Sequence, residues 1–288
     1  MEFNIVNPKT RSELLSAIRR VNYFRFGAGY TDLILELKKQ NERGITIIKL
    51  AQLKDKQFSS IEKNATDVRI GSLVTASQIV GDKFIEKNFP SLHQAANNLA
   101  SSQIRHVATV GGNLCTASPS GDIACALVAL KSTCEILSSK GKLRIIPTTE
   151  FFIGPRKTVL KKDEILRSVL IPMNEKGTLV HSGFIKIGTR RSMECAVVSL
   201  AFHIQTDKNG IIRHCGIAIG SVAPTICFIT EAEYFLKGKN CTGIKSNEKE
   251  AFAQLVLNYA SPISDIRATA WYRKEVLLNI SKSIFENR

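Results

Sequence analysis

The sequence has no apolar run long enough to cross a bilayer, which argues against a membrane-spanning helix. Its first residues, Met-Glu-Phe-Asn-Ile-Val-Asn-Pro, contain neither the basic nor the apolar segment of a secretory signal. We therefore expect a cytoplasmic protein with no membrane partner. With 288 residues, of which 44% are hydrophobic and 23% are charged, the chain has the composition of a globular protein of about two domains.

Metal-binding cysteine patterns are also absent. The chain has 7 cysteines, an odd number, and no two are spaced as Cys-x-x-Cys. Most lie in apolar segments, such as Ala124-Cys-Ala-Leu-Val, where a free cysteine behaves as a small core residue. The spacing fits neither zinc nor iron–sulfur ligation, so we predict no disulfide framework and no metal in this chain. Any redox metal would belong to another chain.

Acidic residues are scarce relative to basic ones. The chain has 25 Asp and Glu against 40 Lys and Arg, a net charge of +15. Clustered positive charge attracts nucleic acid, but here the basic residues occur in short scattered groups, such as Lys38-Lys39 and Arg190-Arg191. The interleaved aromatic residues of single-strand binders are missing. The excess therefore indicates solvated surface or a surface for an acidic protein partner, and we expect no nucleic-acid partner.

Hydrophobic periodicity predicts strands followed by helices, twice over, which indicates an α+β fold with separate domains. The segment Asn174-Glu-Lys-Gly177 is the predicted boundary. The predicted strands are residues 3–6, 24–27, 45–50, a hairpin within 58–73, 133–138, 143–147, 164–172, 181–186, 196–205 and 211–219. The first predicted helix begins at Thr10 or Ser12. The other predicted helices cover residues 33–39, 75–84, 90–100, 122–130, 230–236, 249–258 and 271–285.

The stretch Ala108 to Asp122 contains almost no bulky side chain and includes the adjacent glycines Gly111 and Gly112. This pattern predicts a sharp turn with bare backbone, whose N–H groups form a concave site for phosphate oxygens. Hydroxyl and amide side chains nearby offer further donors. They are Thr109, Asn113, Thr116 and Ser118. The alternative is a tight structural turn.

A second glycine loop, Gly27-Ala-Gly-Tyr-Thr-Asp32, follows a predicted strand and precedes a predicted helix. Phosphate binds well at such a junction because helix N-termini present free N–H groups. The loop is neither a Walker loop nor a full Gly-x-Gly-x-x-Gly motif, and alone it is more typical of a turn.

Together, the two loops and the following Ser-Gly-Asp122 are more specific than either loop alone. In this combination the chain resembles, from end to end, the FAD-binding subunits of molybdenum hydroxylases, the xanthine dehydrogenase and carbon monoxide dehydrogenase group. Phe26-Gly-Ala-Gly-Tyr-Thr-Asp-Leu33 is similar to the family's first FAD loop, and Ser102-Gln-Ile-Arg-His-Val-Ala-Thr-Val-Gly-Gly-Asn113 to its second. Further segments in family order are Ala117-Ser-Pro-Ser-Gly-Asp122, Asp163-Glu-Ile-Leu166, Phe184-Ile-Lys186, Val222-Ala-Pro224 and Ala270-Trp-Tyr-Arg273.

The resemblance implies a two-subdomain FAD-binding domain of the vanillyl-alcohol-oxidase/PCMH type at residues 1–174, with subdomains of about 1–55 and 56–174. At residues 178–288 it implies a domain like the C-terminal one of the CO dehydrogenase flavoprotein, an antiparallel sheet with helices. The expected cofactor is FAD.

The resemblance also implies site residues. The loops would wrap the FAD pyrophosphate with backbone amides, and Leu166 would line its adenine side. Asp122 would hydrogen-bond to the cofactor, although a cap of the helix that it begins is the alternative. Lys186 matches a lysine near the flavin, although a solvated strand lysine is the alternative. Cys195 matches a position that faces the flavin ring, or is a core residue. The full expected set, with no catalytic or metal-binding member, is Phe26, Gly27, Ala28, Gly29, Tyr30, Thr31, Asp32, Leu33, Leu99, Ala100, Thr109, Val110, Gly111, Gly112, Asn113, Ser118, Asp122, Leu166 and Lys186.

The chain departs from the family pattern at three points. Tyr30 replaces the second glycine of the first loop, so that position must be adopted without glycine's conformational freedom. Ile226 and Phe228 replace the Pro and Arg of the pattern Ala-Pro-Thr-Pro-x-Arg. The iron–sulfur insertion of some benzoyl-CoA reductase relatives is absent.

By resemblance, the chain is an electron-transfer subunit whose expected partners are a molybdopterin-binding large subunit and a [2Fe–2S] small subunit. Hydroxylation would occur on a partner, and electrons would leave the flavin for NAD⁺ or another acceptor. Two alternatives stay open: a stand-alone FAD-dependent oxidoreductase of the same cofactor fold, and an interaction subunit that has lost its flavin.

Overall fold

The computed structural model of the chain describes residues 3–40, 44–190 and 194–286. Three of the residues named above lie outside these ranges: Met1, Glu2 and Arg191. The described residues form an α+β fold, as the sequence predicts. None of the helices in these ranges combines the length and the apolarity that crossing a bilayer requires.

The N-terminal unit is a small parallel sheet whose strands are connected through helices. Its elements are β1 (Asn4–Val6), α1 (Arg11–Arg20), β2 (Phe24–Gly27), α2 (Leu33–Gln40) and β3 (Thr46–Lys49). The strand order is β1-β3-β2, with Ile47 of the central strand opposite Ile5 and Arg25. Thr10 caps α1, because its side chain accepts a hydrogen bond from the N–H of Glu13.

The middle unit packs helices against an antiparallel sheet of order β4-β5-β10-β6-β7. Its elements are α3 (Lys56–Ser59), β4 (Ile61–Lys63), β5 (Asp67–Gly71), α4 (Ala76–Gly81), α5 (Lys83–Asn88), α6 (Pro90–Asn97), α7 (Ser102–Val107), α8 (Val110–Thr116), α9 (Asp122–Ala129), β6 (Thr133–Ser138), β7 (Leu143–Pro147), β8 (Phe152–Gly154), β9 (Lys157–Thr158) and β10 (Glu164–Pro172). A single 3₁₀ turn at Thr148–Glu150 precedes the small β8–β9 hairpin.

The C-terminal unit is an antiparallel sheet of order β11-β12-β13-β14 covered by helices. Its elements are β11 (Leu179–Ile187), β12 (Val198–Thr206), β13 (Ile212–Gly220), β14 (Cys227–Phe228), α10 (Thr230–Leu236), α11 (Ser246–Leu257) and α12 (Ala270–Ser283). The helices and one face of the sheet enclose an apolar core that includes Phe252, Val256 and Leu277.

Helix α9 joins the middle and C-terminal units. Every residue of α9 is buried, and the helix packs against α6 and α8 on one side and β12 and β13 on the other. The approach to the sheet is so close that a Cβ on Gly216 would lie 1.9 Å from the carbonyl oxygen of Ala129. Because the first residue of α9 is Asp122, this packing holds that carboxylate at the seam between the two units.

Several element boundaries differ from the sequence prediction. The helix predicted from residue 75 to 84 divides at Asp82, whose side chain accepts hydrogen bonds from the N–H groups of Phe84 and Ile85 and so begins a new helix. The hairpin predicted within residues 58–73 starts later, because Asp55 caps α3 in front of it. The helix predicted over residues 90–100 ends at Asn97.

Candidate functional site

The first glycine loop connects β2 to α2. Leu50 donates to the carbonyl oxygen of Gly27 (N···O 2.8 Å), which fixes the start of the loop to the end of β3. Among the described residues, none of the backbone N–H groups of residues 28–33 donates to another protein atom. Unpaired N–H groups in a tight loop are what phosphate oxygens require. The loop therefore has donors available for a diphosphate.

Tyr30 keeps the loop's turn without a glycine. Its φ of 61° lies in the left-handed region, a conformation that costs a non-glycine residue about 1–2 kcal/mol. Its ring packs over Gly27, where a Cβ would lie 2.4 Å from ring atoms, and against the apolar cluster of Leu37, Ile45 and Ile47. Burial of the ring raises the pKa of its phenol. Packing thus offsets the backbone strain at this departure from the family pattern.

The two glycine segments lie side by side. A Cβ on Gly29 would fall 2.0 Å from the carbonyl oxygen of Val107, in the segment that leads into the second glycine stretch. No side chain fits between them, so Gly29 is required for the close approach of the two backbones. The segments that resemble the two FAD loops therefore form one continuous surface.

The second glycine stretch is helical, and the prediction of a sharp bare turn there is wrong. Thr109 caps α8 by accepting from the N–H of Gly112 (3.0 Å), and its carbonyl oxygen accepts from Asn113 (2.9 Å). Gly111 donates to Ser72 (2.7 Å) and Val110 to the carbonyl oxygen of Val74 (2.9 Å). These four amides are already paired, so they do not form an open phosphate site.

The glycines of this stretch instead allow close packing. A Cβ on Gly111 would lie 2.6 Å from the Cβ of Ser72, whereas one on Gly112 would meet only the Thr109 hydroxyl at 3.0 Å. Two side chains predicted as ligand donors accept hydrogen bonds from the protein, and these bonds do not use their own N–H or O–H groups. Asn113 Oδ1 accepts from the N–H of Ala124 (2.9 Å), and Ser118 Oγ accepts from the N–H of Ser120 (3.2 Å).

The turn between α6 and α7 contains two of the expected site residues, Leu99 and Ala100. Ala100 has a φ of 42°, in the left-handed region. Arg105 Nη1 donates to the carbonyl oxygens of Leu99 (3.0 Å) and Ala100 (3.1 Å) and so fixes the turn from α7. Sequence reasoning did not assign a role to Arg105, because its partners are backbone atoms that leave no motif.

Asp122 and Lys186 form a buried ion pair across the seam. Lys186 Nζ lies 2.6 Å from Asp122 Oδ2 and also donates to the carbonyl oxygen of Asn98 (3.2 Å). The side chains are only 12% and 3% exposed, which rules out the solvated-lysine alternative. Burial raises the pKa of Asp122 to about 6, and the nearby ammonium of Lys186 partly opposes that shift.

The second oxygen of this carboxylate, Asp122 Oδ1, is buried and has no hydrogen-bond partner. A buried carboxylate oxygen without a donor is unfavourable, so Asp122 Oδ1 is available to accept a further hydrogen bond. A ligand hydroxyl or N–H fits this requirement. The geometry thus agrees with the expectation that Asp122 hydrogen-bonds to a cofactor.

Two expected residues lie elsewhere. Leu166 is 2% exposed, as buried as Asp122, and packs in the core of the middle unit, so its role at the adenine side stays a prediction. Cys195 is exposed and is therefore not the core residue that the alternative described. Contacts link the remaining parts in pairs: the first loop meets Val107 of the second segment, and the Asp122–Lys186 pair meets the turn at Leu99 and Ala100 through the carbonyl of Asn98.

Comparison with known proteins agrees with this geometry. Residues 1–174 match the family described as the FAD binding domain in molybdopterin dehydrogenase, and residues 184–287 match the CO dehydrogenase flavoprotein C-terminal domain. The "Xanthine dehydrogenase FAD-binding subunit" of Escherichia coli O157:H7 is 30% identical over 89% of this chain and 86% of its own length. The "Nicotinate dehydrogenase FAD-subunit" of Eubacterium barkeri is 28% identical over 99% of this chain and 95% of its own.

The fold is also shared with a solved structure. Reconstituted CO dehydrogenase from Oligotropha carboxidovorans contains a chain that superposes with a TM-score of 0.91 at 22% identity, covering 99% of this chain and 97% of that one. FAD is the cofactor of the matched domain, and oxidoreductase chemistry is the activity to which such subunits contribute. The chain belongs to the FAD-binding subunits of the molybdenum hydroxylase family, of the xanthine dehydrogenase and CO dehydrogenase type.

Proposed function

We propose that this chain is the electron-transfer flavoprotein subunit of a cytoplasmic, multi-subunit molybdenum hydroxylase. Its partners would be a molybdopterin-binding large subunit and a [2Fe–2S] small subunit. Bound FAD supplies the chemistry that converts between single electrons and electron pairs. NAD⁺ is a candidate for the final acceptor. We also propose that residues 1–174 and 178–288 are the two domains, which accords with the segments that the two families match.

The observation that carries the proposal is the Asp122–Lys186 pair with its unpartnered Oδ1. We assign to Oδ1 a hydrogen bond from the cofactor, and to Lys186 a fixed positive charge that lowers the free energy of added negative charge nearby. The unpaired amides of the first loop, residues 28–33, would hold the diphosphate. Val110, Gly111, Gly112 and Asn113 would support this surface through packing, because their amides are already bonded.

Substrate oxidation belongs to a partner in this proposal. Among the described residues, no group of three or more His, Cys, Asp or Glu side chains is placed to hold a metal ion. The relatives named above differ in substrate, since one is a xanthine dehydrogenase subunit and the other a nicotinate dehydrogenase subunit. In this proposal the large subunit would determine the substrate.

FAD titration of the purified chain tests the site. Gly29→Val should abolish binding, because a Cβ at this position would meet the Val107 carbonyl at 2.0 Å and force the two loops apart. The matched control is Gly81→Ala, a glycine with no heavy atom within 4 Å of the added Cβ, which should bind as the wild type does. Circular dichroism verifies folding. Equal FAD affinity in all three proteins would contradict the assigned site.

Purification of the native complex tests the partners. Its companion chains should contain molybdopterin and [2Fe–2S] centres, and substrate should bleach the flavin absorption band only when those chains are present. A chain that oxidises or reduces substrate by itself would instead be the stand-alone oxidoreductase. A chain without a flavin band, even after FAD is added, would be an interaction subunit.

A further inference from the structure

A cavity of about 250 Å³ lies between the middle and C-terminal units, at the end of α9 opposite Asp122. Its walls are the C-terminal end of α9, the segment that follows β10, and strands β12 and β13. Helix α9 has 8 residues, so at about 1.5 Å per residue its two ends are about 10 Å apart. None of the expected cofactor-binding residues lines this cavity. It is therefore separate from the candidate cofactor site.

The lining of the cavity is mostly apolar, and the charged side chains that border it have partners. Lys131 Nζ lies 2.6 Å from Glu233 Oε2, and His214 Nε2 lies 3.0 Å from Glu175 Oε2. The side chains of His214 and Glu175 are 49% and 58% exposed, so this pair marks the mouth of the cavity. A charged ligand would lose its hydration inside without gaining a free counter-charge. The cavity thus favours a neutral molecule.

His203, on β12, supplies a hydrogen-bond acceptor to the cavity wall. Asn174 Nδ2 donates to the carbonyl oxygen of Asn88 (3.0 Å), which leaves Asn174 Oδ1 to accept from His203 Nε2 (2.8 Å). Burial lowers the pKa of His203 to about 4, so the ring is neutral at pH 7. With the proton on Nε2, the lone pair is on Nδ1.

This lone pair is available to a ligand. Among the residues that line the cavity, all of them in the described ranges, His203 alone has a buried side-chain nitrogen or oxygen atom without a hydrogen-bond partner, and that atom is Nδ1. The bond to Asn174 and the ring of Phe89, whose centroid lies 6.1 Å away, hold the imidazole in position. An acceptor that is already oriented loses little conformational entropy on binding.

The volume limits the size of the ligand. An apolar cavity of about 150 Å³ is large enough to bind benzene. The cavity described here, at about 250 Å³, therefore has room for one ring with a small polar substituent.

We propose that the cavity binds a small, uncharged and largely apolar molecule, about one ring in size, whose O–H or N–H group donates to His203 Nδ1. The walls come from both units, so the bound molecule contacts the middle and the C-terminal unit at once. Its binding therefore stabilises the folded chain in which the two units are joined.

Fluorine NMR titration of the complete, FAD-loaded chain tests the site with two probes that differ in one group. para-Fluorophenol has an O–H donor, whereas fluorobenzene has none. Both should bind saturably. His203→Phe removes the acceptor and should lower the ratio of the two affinities, phenol over fluorobenzene, about fivefold, as expected for the loss of one hydrogen bond. His106→Phe is the matched control, because His106 is an exposed histidine of α7 that does not line the cavity, and its ratio should equal that of the wild type.

Met173→Trp provides a test that does not depend on the histidine variant. Met173 lines the cavity, and the larger side chain should fill part of it, so both probes should bind at least tenfold more weakly. Circular dichroism and an unchanged FAD affinity verify that each variant is folded.

The absence of saturable binding of either probe to the wild-type chain would overturn the proposed site, and so would unchanged binding of both probes to Met173→Trp. An unchanged affinity ratio in His203→Phe would overturn the role of Nδ1. Tighter binding of the anionic para-fluorobenzoate than of the phenol would refute the neutral class of ligand. Each of these outcomes leaves the proposed function intact, because FAD binding is measured separately.

Discussion

Replacing Asp122 with asparagine should change how the stability of the FAD-free chain depends on pH. The pKa of Asp122 is raised from 3.8 to about 6 by burial, against the opposing effect of Lys186. A carboxyl whose folded pKa exceeds its unfolded pKa binds its proton more tightly in the folded state. The contribution of Asp122 to the free energy of unfolding is therefore most favourable below about pH 4, and it is lost as the pH rises through about 6.

The size of the effect follows from the shift. A difference of about 2 pKa units corresponds to about 3 kcal/mol in the free energy of unfolding, at about 1.4 kcal/mol per unit. Asp122→Asn cannot ionise, so the free energy of unfolding of the variant minus that of the wild type should increase by about 3 kcal/mol from about pH 3 to pH 7. Carboxylates that both proteins retain, such as Asp55 and Glu164, cancel in this difference.

Urea denaturation followed by circular dichroism at half-unit pH steps measures the difference. Asp32→Asn, at an exposed carboxylate without a side-chain partner among the described residues, controls for the removal of a carboxylate as such. If the curve of Asp122→Asn also runs parallel to the wild type, Asp122 is not a buried ionised group and the reasoning about the pair fails.

Two further predictions concern residues that surround the site. Gly111→Ala should destabilise the chain by about 1–3 kcal/mol in thermal or urea unfolding, because its Cβ would lie 2.6 Å from the Ser72 Cβ, whereas Gly112→Ala should cost less. Equal losses would contradict the packing role of Gly111. Arg105→Met should weaken FAD binding about tenfold without unfolding the chain, since the turn at Leu99 and Ala100 loses two charged hydrogen bonds. Arg105→Lys should restore part of the affinity, and an unchanged dissociation constant in the Met variant would argue against this positioning role.

The sequence predicted the fold class because hydrophobic periodicity survives in each long strand and helix. Strands β2, β6 and β7 have the predicted bounds, and β10 covers the predicted residues. The element boundaries that were predicted wrongly depend on side-chain hydrogen bonds that compete with the backbone bonds of a helix. Asp82 ends one helix and caps another, a choice that is decided by side-chain hydrogen bonds and not by periodicity.

The candidate site, like the fold, was predicted from the sequence only in part. Glycine pairs predicted a special backbone at two places, but only the first loop retains unpaired amides. At the second stretch, Thr109 caps a helix, and the carbonyl oxygens of Ser72 and Val74 accept from the N–H groups of Gly111 and Val110. Tertiary packing brings these partners together, so the local sequence does not reveal them. The contact of Lys186 with Asp122 joins residues 64 positions apart, and the sequence did not predict it, because the family resemblance placed each residue near the cofactor without pairing them.

The position of α9 has a consequence for dissecting the molecule. A fragment that stops at residue 174 would keep the whole first loop and Asp122 but lose Lys186, leaving the carboxylate without its counter-charge. It would also expose to solvent the apolar side of α9 that β12 and β13 cover in the complete chain. The ion pair of the candidate site thus takes one residue from each unit, and we expect neither fragment alone to keep it.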